Sequence, residues 1–147
     1  MYLLKLINLL KQIGDGTFKI GVPKMPIGVL DVRDVADAHY EAAFNKNASG
    51  RYITSAYNTS FLEISKLLYS EFGDSFPIPK RPLPKWLVYL IGPLLNKALT
   101  RKYITNNFNQ DFRANNDKIQ RELGLNFRPF KQTLVESFQS LIDQKII

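Results

Sequence analysis

The 147-residue chain contains no cysteine, one histidine and one tryptophan. The absence of cysteine excludes disulfides, a thiol nucleophile and thiolate metal sites, and fits a reducing, cytoplasmic compartment. His39 alone cannot build an imidazole cluster, and no paired histidines or carboxylates stand at ligand spacing, so no metal centre is expected. Set on a helix among alanines, this imidazole reads as a packed or half-exposed structural residue. No apolar run reaches the ~20 residues of a spanning helix; the most lipid-like stretch, Trp86 to Leu95, is about half that length and is broken by Pro93. Met1 to Ile13 is apolar but carries Lys5 and Lys11, without a basic start or a small-residue cleavage site, so no signal peptide is expected. A soluble protein without a membrane partner follows. Gly14, Gly16 and Gly21 follow no strand and lack the dinucleotide spacing, and no serine lies in a nucleophile elbow. No self-sufficient active site is legible.

What is present is enough for a core: 45% of residues are hydrophobic, in a chain the size of one domain. The formal charge of +7 is uneven. Residues 1–79 carry eight basic and eight acidic side chains, whereas residues 80–147 carry twelve and five. A basic half suits an acidic ligand such as a phosphate, a nucleic acid or an anionic membrane, or is a solvated surface. Lys97, Arg101 and Lys102 beside Tyr103 form the tightest positive cluster, with Lys80, Arg81 and Lys85 as another. Aromatics among cations can stack on bases. No nucleic-acid module pattern accompanies them, and Tyr103 adjoins Ile104 as a core residue would, so nucleic acid is not the expected partner.

Periodicity places the elements. Leu3, Leu4, Ile7, Leu10 and Ile13 predict an amphipathic helix over 2–13, stopped by Gly14. Gly14-Asp15-Gly16 reads as a turn and Phe18 to Gly21 as a short strand. Val29, Leu30 and Val32 read as a buried strand, with Asp34 as the N-cap of a helix carrying Val35, Ala36, Ala38, His39, Ala42 and Ala43. Asp31, in the strand, and Asp37, in the first turn, complete a group better suited to capping and the helix dipole than to acid–base chemistry. Arg51 to Thr54 predicts a second strand. Ser60-Phe61-Leu62-Glu63 is a capping box opening a helix to about Phe72, ended by Gly73. Pro77, Pro79, Pro82 and Pro84 predict an extended, stiff crossing segment. Helices are expected from Lys85 to about Leu99, from a cap at Asn115–Asp117 to Leu123-Gly124, and after Pro129, where Leu134, Val135, Phe138, Leu141 and Ile142 share a face. Strands early and helices late predict an α/β fold, the edge of a sheet followed by a mostly helical C-terminal cap. The single partial domain divides into sheet-edge elements over 1–58 and the helical cap over 59–147.

Val29-Leu30-Asp31-Val32-Arg33-Asp34-Val35-Ala36-Asp37-Ala38-His39 resembles the late strand-to-helix segment of the extended short-chain dehydrogenases/reductases, in their dihydroflavonol-reductase and aldehyde-reductase-like branch within the NAD-dependent epimerase/dehydratase superfamily. In the same order, Gly50-Arg51-Tyr52-Ile53 resembles the family's final sheet strand. Asn116-Asp117-Lys118 with Arg121-Glu122-Leu123-Gly124 resembles its capped helix ending in Leu-Gly, and the segment from Phe130 its last helix. The resemblance implies an incomplete Rossmann-type sheet, the last strands only, with the helical cap on the substrate side, in an NADP- or NAD-dependent oxidoreductase acting on a small carbonyl compound. It also implies a glycine-rich cofactor turn and a Tyr-x-x-x-Lys pair. None of the seven tyrosines is followed four residues later by lysine. On this reading both elements lie upstream of Met1, no catalytic or cofactor-binding residue can be carried over, and the chain alone binds no dinucleotide. Ile27 and Gly28 stand where nucleotide-sugar members tend to have an Arg-Asp pair, and isoleucine cannot pair with a diphosphate. An aldehyde, ketone or flavonoid-like substrate is therefore expected, lined by the apolar and proline-rich stretches that contain Met25, Ile27 and Trp86. Two other readings stay open: a non-catalytic interaction module that self-associates through an exposed sheet edge, and a basic surface for nucleic acid or anionic lipid.

Overall fold

The structure, a computed structural model, describes residues 2–95, 100–108 and 113–147. Helix α1 (Tyr2–Gly14) turns Leu6, Leu9, Leu10 and Ile13 inward at three- and four-residue steps and leaves Ile7 exposed. Of the expected stripe, Leu10 and Ile13 are buried, Ile7 is not, and the side chains of Leu3 and Leu4 lie outside the described residues. Gly14 closes the helix where a Cβ would come within 2.7 Å of Ile147 Cδ1 and 2.9 Å of Phe138 Cζ, so a side chain there would have to displace those tips. Strand β1 (Val22–Pro23) pairs in parallel with β4 (Pro82–Leu83). Strand β2 (Pro26–Val29) pairs antiparallel with β3 (Tyr57–Ser60), setting Ile27 against Thr59 and Val29 against Tyr57.

Helices α2 (Val32–Phe44), α3 (Phe61–Phe72), α4 (Lys85–Leu95), α5 (Arg101–Asn107), α6 (Asp117–Leu123) and α7 (Phe130–Asp143) complete the described elements. The main core joins α1, α3 and α7 to the strands through Leu10, Ile13, Val22, Val29, Ile64, Leu68, Leu134 and Phe138. Two satellite clusters flank it. Ala38 of α2 packs on Ile119, Leu123 and Leu125, and Val88 of α4 on Ile104 and Phe108, with Met25 and Leu83 alongside. The α/β arrangement is therefore present, as two small ladders with helices around them.

The capping box at α3 forms in both directions: Glu63 N donates to Ser60 Oγ, and Ser60 N donates to the Glu63 carboxylate. Gly124 adopts a left-handed conformation (φ 67°) and ends α6 as its position predicts. Four local expectations are corrected. Phe18 to Gly21 is a pair of turns, closed by Lys19 N to Gly16 O and Gly21 N to Phe18 O, and the strand begins at Val22. The strand expected over Val29–Val32 lies earlier, at Pro26–Val29, and Val32 is an exposed first residue of α2. The α2 N-cap is Asp31, whose carboxylate accepts from Arg33 N, rather than Asp34. Asp31 and Asp34 both precede apolar helical positions, and the pattern could not rank them. Arg51–Thr54 forms no ladder, because no strand lies beside it among the described residues; the pairing falls at Tyr57–Ser60. Helix α5 was not foreseen, and residues 96–99 of the helix expected to run to Leu99 lie outside the described residues.

Candidate functional site

The expected substrate-side residues occupy three different settings. Met25 is half-buried at the edge of the α4–α5 cluster, with its sulfur 4.0 Å from the Tyr103 hydroxyl. Ile27 is half-buried against the main core. Trp86 is 68% exposed on α4. Met25 and Ile27 belong to one short stretch of chain, β2 and the residue before it, and Trp86 stands apart on the helix that follows β4. None of the three lines the open depression between α3 and α7, bordered by Glu71, Pro129, Lys131, Gln132 and Val135, where Lys131 pairs with Glu71 at 2.7 Å. Lys97 lies outside the described residues.

The polar organisation centres on the first turn of α2. Asp31 is buried, and its carboxylate accepts from Arg33 N and Nε at 2.9 Å, from Arg33 Nη2 at 2.7 Å and from Thr133 Oγ1 at 3.0 Å. These bonds to Arg33, with Thr133 adding to them against the opposing effect of burial, hold its pKa well below the usual carboxylate range. Arg33 also reaches Glu136 of α7 at 2.6 Å. Asp34, 1% exposed, accepts from Arg128 N at 3.0 Å and pairs with the Arg128 guanidinium, which also meets Asp37 at 3.0 Å. Every carboxylate of this group is engaged by a donor, so the arrangement fastens α2 to α7 and offers no poised acid or base. His39 sits on the exposed face, with Nδ1 bonded to Val35 O at 2.7 Å. Among the described residues no three His, Asp or Glu side chains converge as a metal site would require.

The segment before α6 carries contacts that local patterns did not announce. Asn58 and Ala114 exchange two hydrogen bonds, Asn58 Nδ2 to Ala114 O at 3.0 Å and Ala114 N to Asn58 Oδ1 at 2.8 Å. Asn116 donates to the Ser55 and Ala56 carbonyls, while Asn115 Oδ1 receives Asp117 N. Asn116 was expected only as part of a cap. Its partners lie about sixty residues upstream, and nothing local signals them. Lys85, read as one of a cationic cluster, donates its ammonium to the Thr105 and Phe108 carbonyls at 3.3 Å each, satisfying the end of α5. A second Lys–Tyr grouping lies on the surface: Lys80 Nζ is 2.6 Å from the Tyr69 hydroxyl and 3.1 Å from Asp74 Oδ1.

Of the three described strand-to-helix junctions, those that open α2 and α3 do not fit a dinucleotide pyrophosphate. The amides that open α2 face the Asp31 carboxylate, and those that open α3 face Ser60, with Glu63 beside it. An anion brought to either end would meet a carboxylate already in place. No glycine stands at these N-caps to let a phosphate approach the backbone.

No protein-family model matches the chain. Over 66 residues it is 42% identical to anthocyanidin reductase of Arabidopsis thaliana, a match covering 39% of this chain and 19% of that protein. In three dimensions it is similar to the yeast methylglyoxal/isovaleraldehyde reductase Gre2, solved with NADPH. The TM-score is 0.62 at 22% identity, covering 95% of this chain and 39% of the reductase. Gre2 of Candida albicans, also solved with NADPH, gives 0.58 at 21% identity, covering 92% and 35%. The chain thus spans well under half the length of the proteins it matches. Its fold is similar to that of part of these reductases, a partial Rossmann-type arrangement with helices packed around it.

Proposed function

We propose that these residues form the C-terminal, substrate-side portion of an NAD(P)H-dependent carbonyl reductase, the glycine-rich turn and the Tyr-x-x-x-Lys pair belonging to another portion of the fold. The observation that carries this reading is the correspondence of 95% of the chain with 39% of a Gre2 reductase. Two physical features support it. The peptide groups of Tyr52, Ile53 and Thr54 make no hydrogen bond to the described residues, although the segment carries the side chains of a sheet strand. On α2, Val32, Ala36, Tyr40 and Phe44 share a face at four-residue steps and are exposed, at 51%, 63% and 72% for Val32, Tyr40 and Phe44. A stripe of this kind is the face a helix turns toward a sheet. The parent enzyme reduces an aldehyde, ketone or flavonoid-like carbonyl compound with NADPH or NADH. Met25 and Ile27 line the substrate side and Trp86 stands at its outer rim. The chain by itself carries out no turnover.

The test has two arms. The purified chain, mixed with NADPH and methylglyoxal or isovaleraldehyde, leaves the absorbance of the reduced nicotinamide unchanged; steady oxidation would overturn the non-catalytic reading. The nucleotides upstream of the Met1 codon encode a glycine-rich turn and a Tyr-x-x-x-Lys pair, and their product, expressed together with the chain, oxidises NADPH with a carbonyl acceptor. An upstream sequence encoding neither would remove the reductase reading.

A further inference from the structure

Between Asp74 and Asp111 the sequence has no acidic residue, yet it carries Lys80, Arg81, Lys85, Lys97, Arg101 and Lys102. In the structure this run adjoins, through Arg101, an outward apolar face on α4. Trp86, Tyr89 and Leu90, three and four residues apart on α4, are 68%, 42% and 59% exposed. The Arg101 guanidinium lies 5.6 Å from the centre of the Tyr89 ring, which fixes the start of α5 and its exposed neighbour Lys102 beside that face. Lys85 is used within the molecule, on the α5 carbonyls, and Lys80 is paired with Asp74. Arg81, Arg101 and Lys102 are exposed and appear in no described salt bridge.

An indole and a leucine on one helical face, with Arg101 beside it and no acidic residue in its stretch of sequence, match the chemistry of a bilayer interface. The rings and leucine enter the headgroup–acyl boundary and the cations meet anionic headgroups. We propose that α4 and the start of α5 dock on the surface of a membrane containing anionic phospholipid. The association is peripheral, since no described helix is long and apolar enough to cross a membrane. It requires neither turnover nor cofactor, and so stands or falls apart from the reductase reading. A nucleic acid offers the same sign of charge but no counterpart for Leu90.

Trp86 is the single tryptophan, so its fluorescence reports this face alone. Titrated with vesicles of phosphatidylcholine and phosphatidylserine at low salt, the full chain shows a blue shift and protection from acrylamide. Phosphatidylcholine vesicles give neither, and added salt reverses the effect. Arg101→Glu with Lys102→Glu weakens partitioning by about tenfold or more, each cation near an anionic surface contributing on that scale. Leu90→Ser, at an exposed position that leaves packing intact, weakens it independently. An unshifted spectrum with anionic vesicles overturns the proposal. So does an equal shift with neutral vesicles, or a shift produced by duplex DNA and not by vesicles.

Discussion

Asp34 and Arg128, ninety-four residues apart, are joined twice, once through the Arg128 backbone amide at 3.0 Å and once through its guanidinium. The carboxylate is 1% exposed. Removing it leaves the Arg128 amide without its acceptor and the guanidinium with Asp37 alone, loosening the loop before α7 from the first turn of α2. Asp34→Ala is expected to cost about 2 kcal/mol, the scale of a hydrogen bond to a charged group. Urea unfolding followed by circular dichroism measures this; a loss of a few tenths would mean that the pairing does not hold the loop.

Acid should act through Asp31. Arg33 holds the pKa of this carboxylate well below its unfolded value of about 4. The folded state therefore binds fewer protons than the unfolded chain as pH falls through and below that value. The stability from this group is complete above about pH 4 and is lost progressively at lower pH. Asp31→Asn should lower the melting temperature at pH 7 and flatten its decline on the acid side. A variant with the same acid limb as the parent would assign the acid sensitivity to other carboxylates.

The open edge should be sticky. The unpaired peptide groups of Tyr52–Thr54 and the exposed side chains of Ile53 and Phe44 invite a second copy to pair wherever the rest of the sheet is not there to cover them. Concentration-dependent association by sedimentation velocity is expected, and Ile53→Lys with Phe44→Glu should suppress it. As both positions are exposed, stability should change by no more than about 0.5 kcal/mol. Association undiminished in the double variant would place the contact elsewhere.

Helix ends written in local chemistry were legible: Ser60 with Glu63 opens α3, and Gly124 closes α6, because cap and partner lie within one turn. Strand positions were less so. Arg51–Thr54 has the composition of a strand, but a ladder needs a neighbour, and the neighbour available to this region is β2, which pairs with Tyr57–Ser60. The same limit hid the candidate site. Met25, Ile27 and Trp86 are alike as apolar residues near prolines, and only the folded chain shows that the first two border packed clusters while the third faces outward. The clasp of Asn116 on Ser55 and Ala56 had no local trace for the same reason.

The ammonium of Lys85 stoppers α5 from outside, resting on the carbonyls of Thr105 and Phe108 some twenty positions along the chain. The two helices are consequently latched, and a push on one is passed to the end of the other. Acylating that single amine would unlatch α5 without altering any of its own residues.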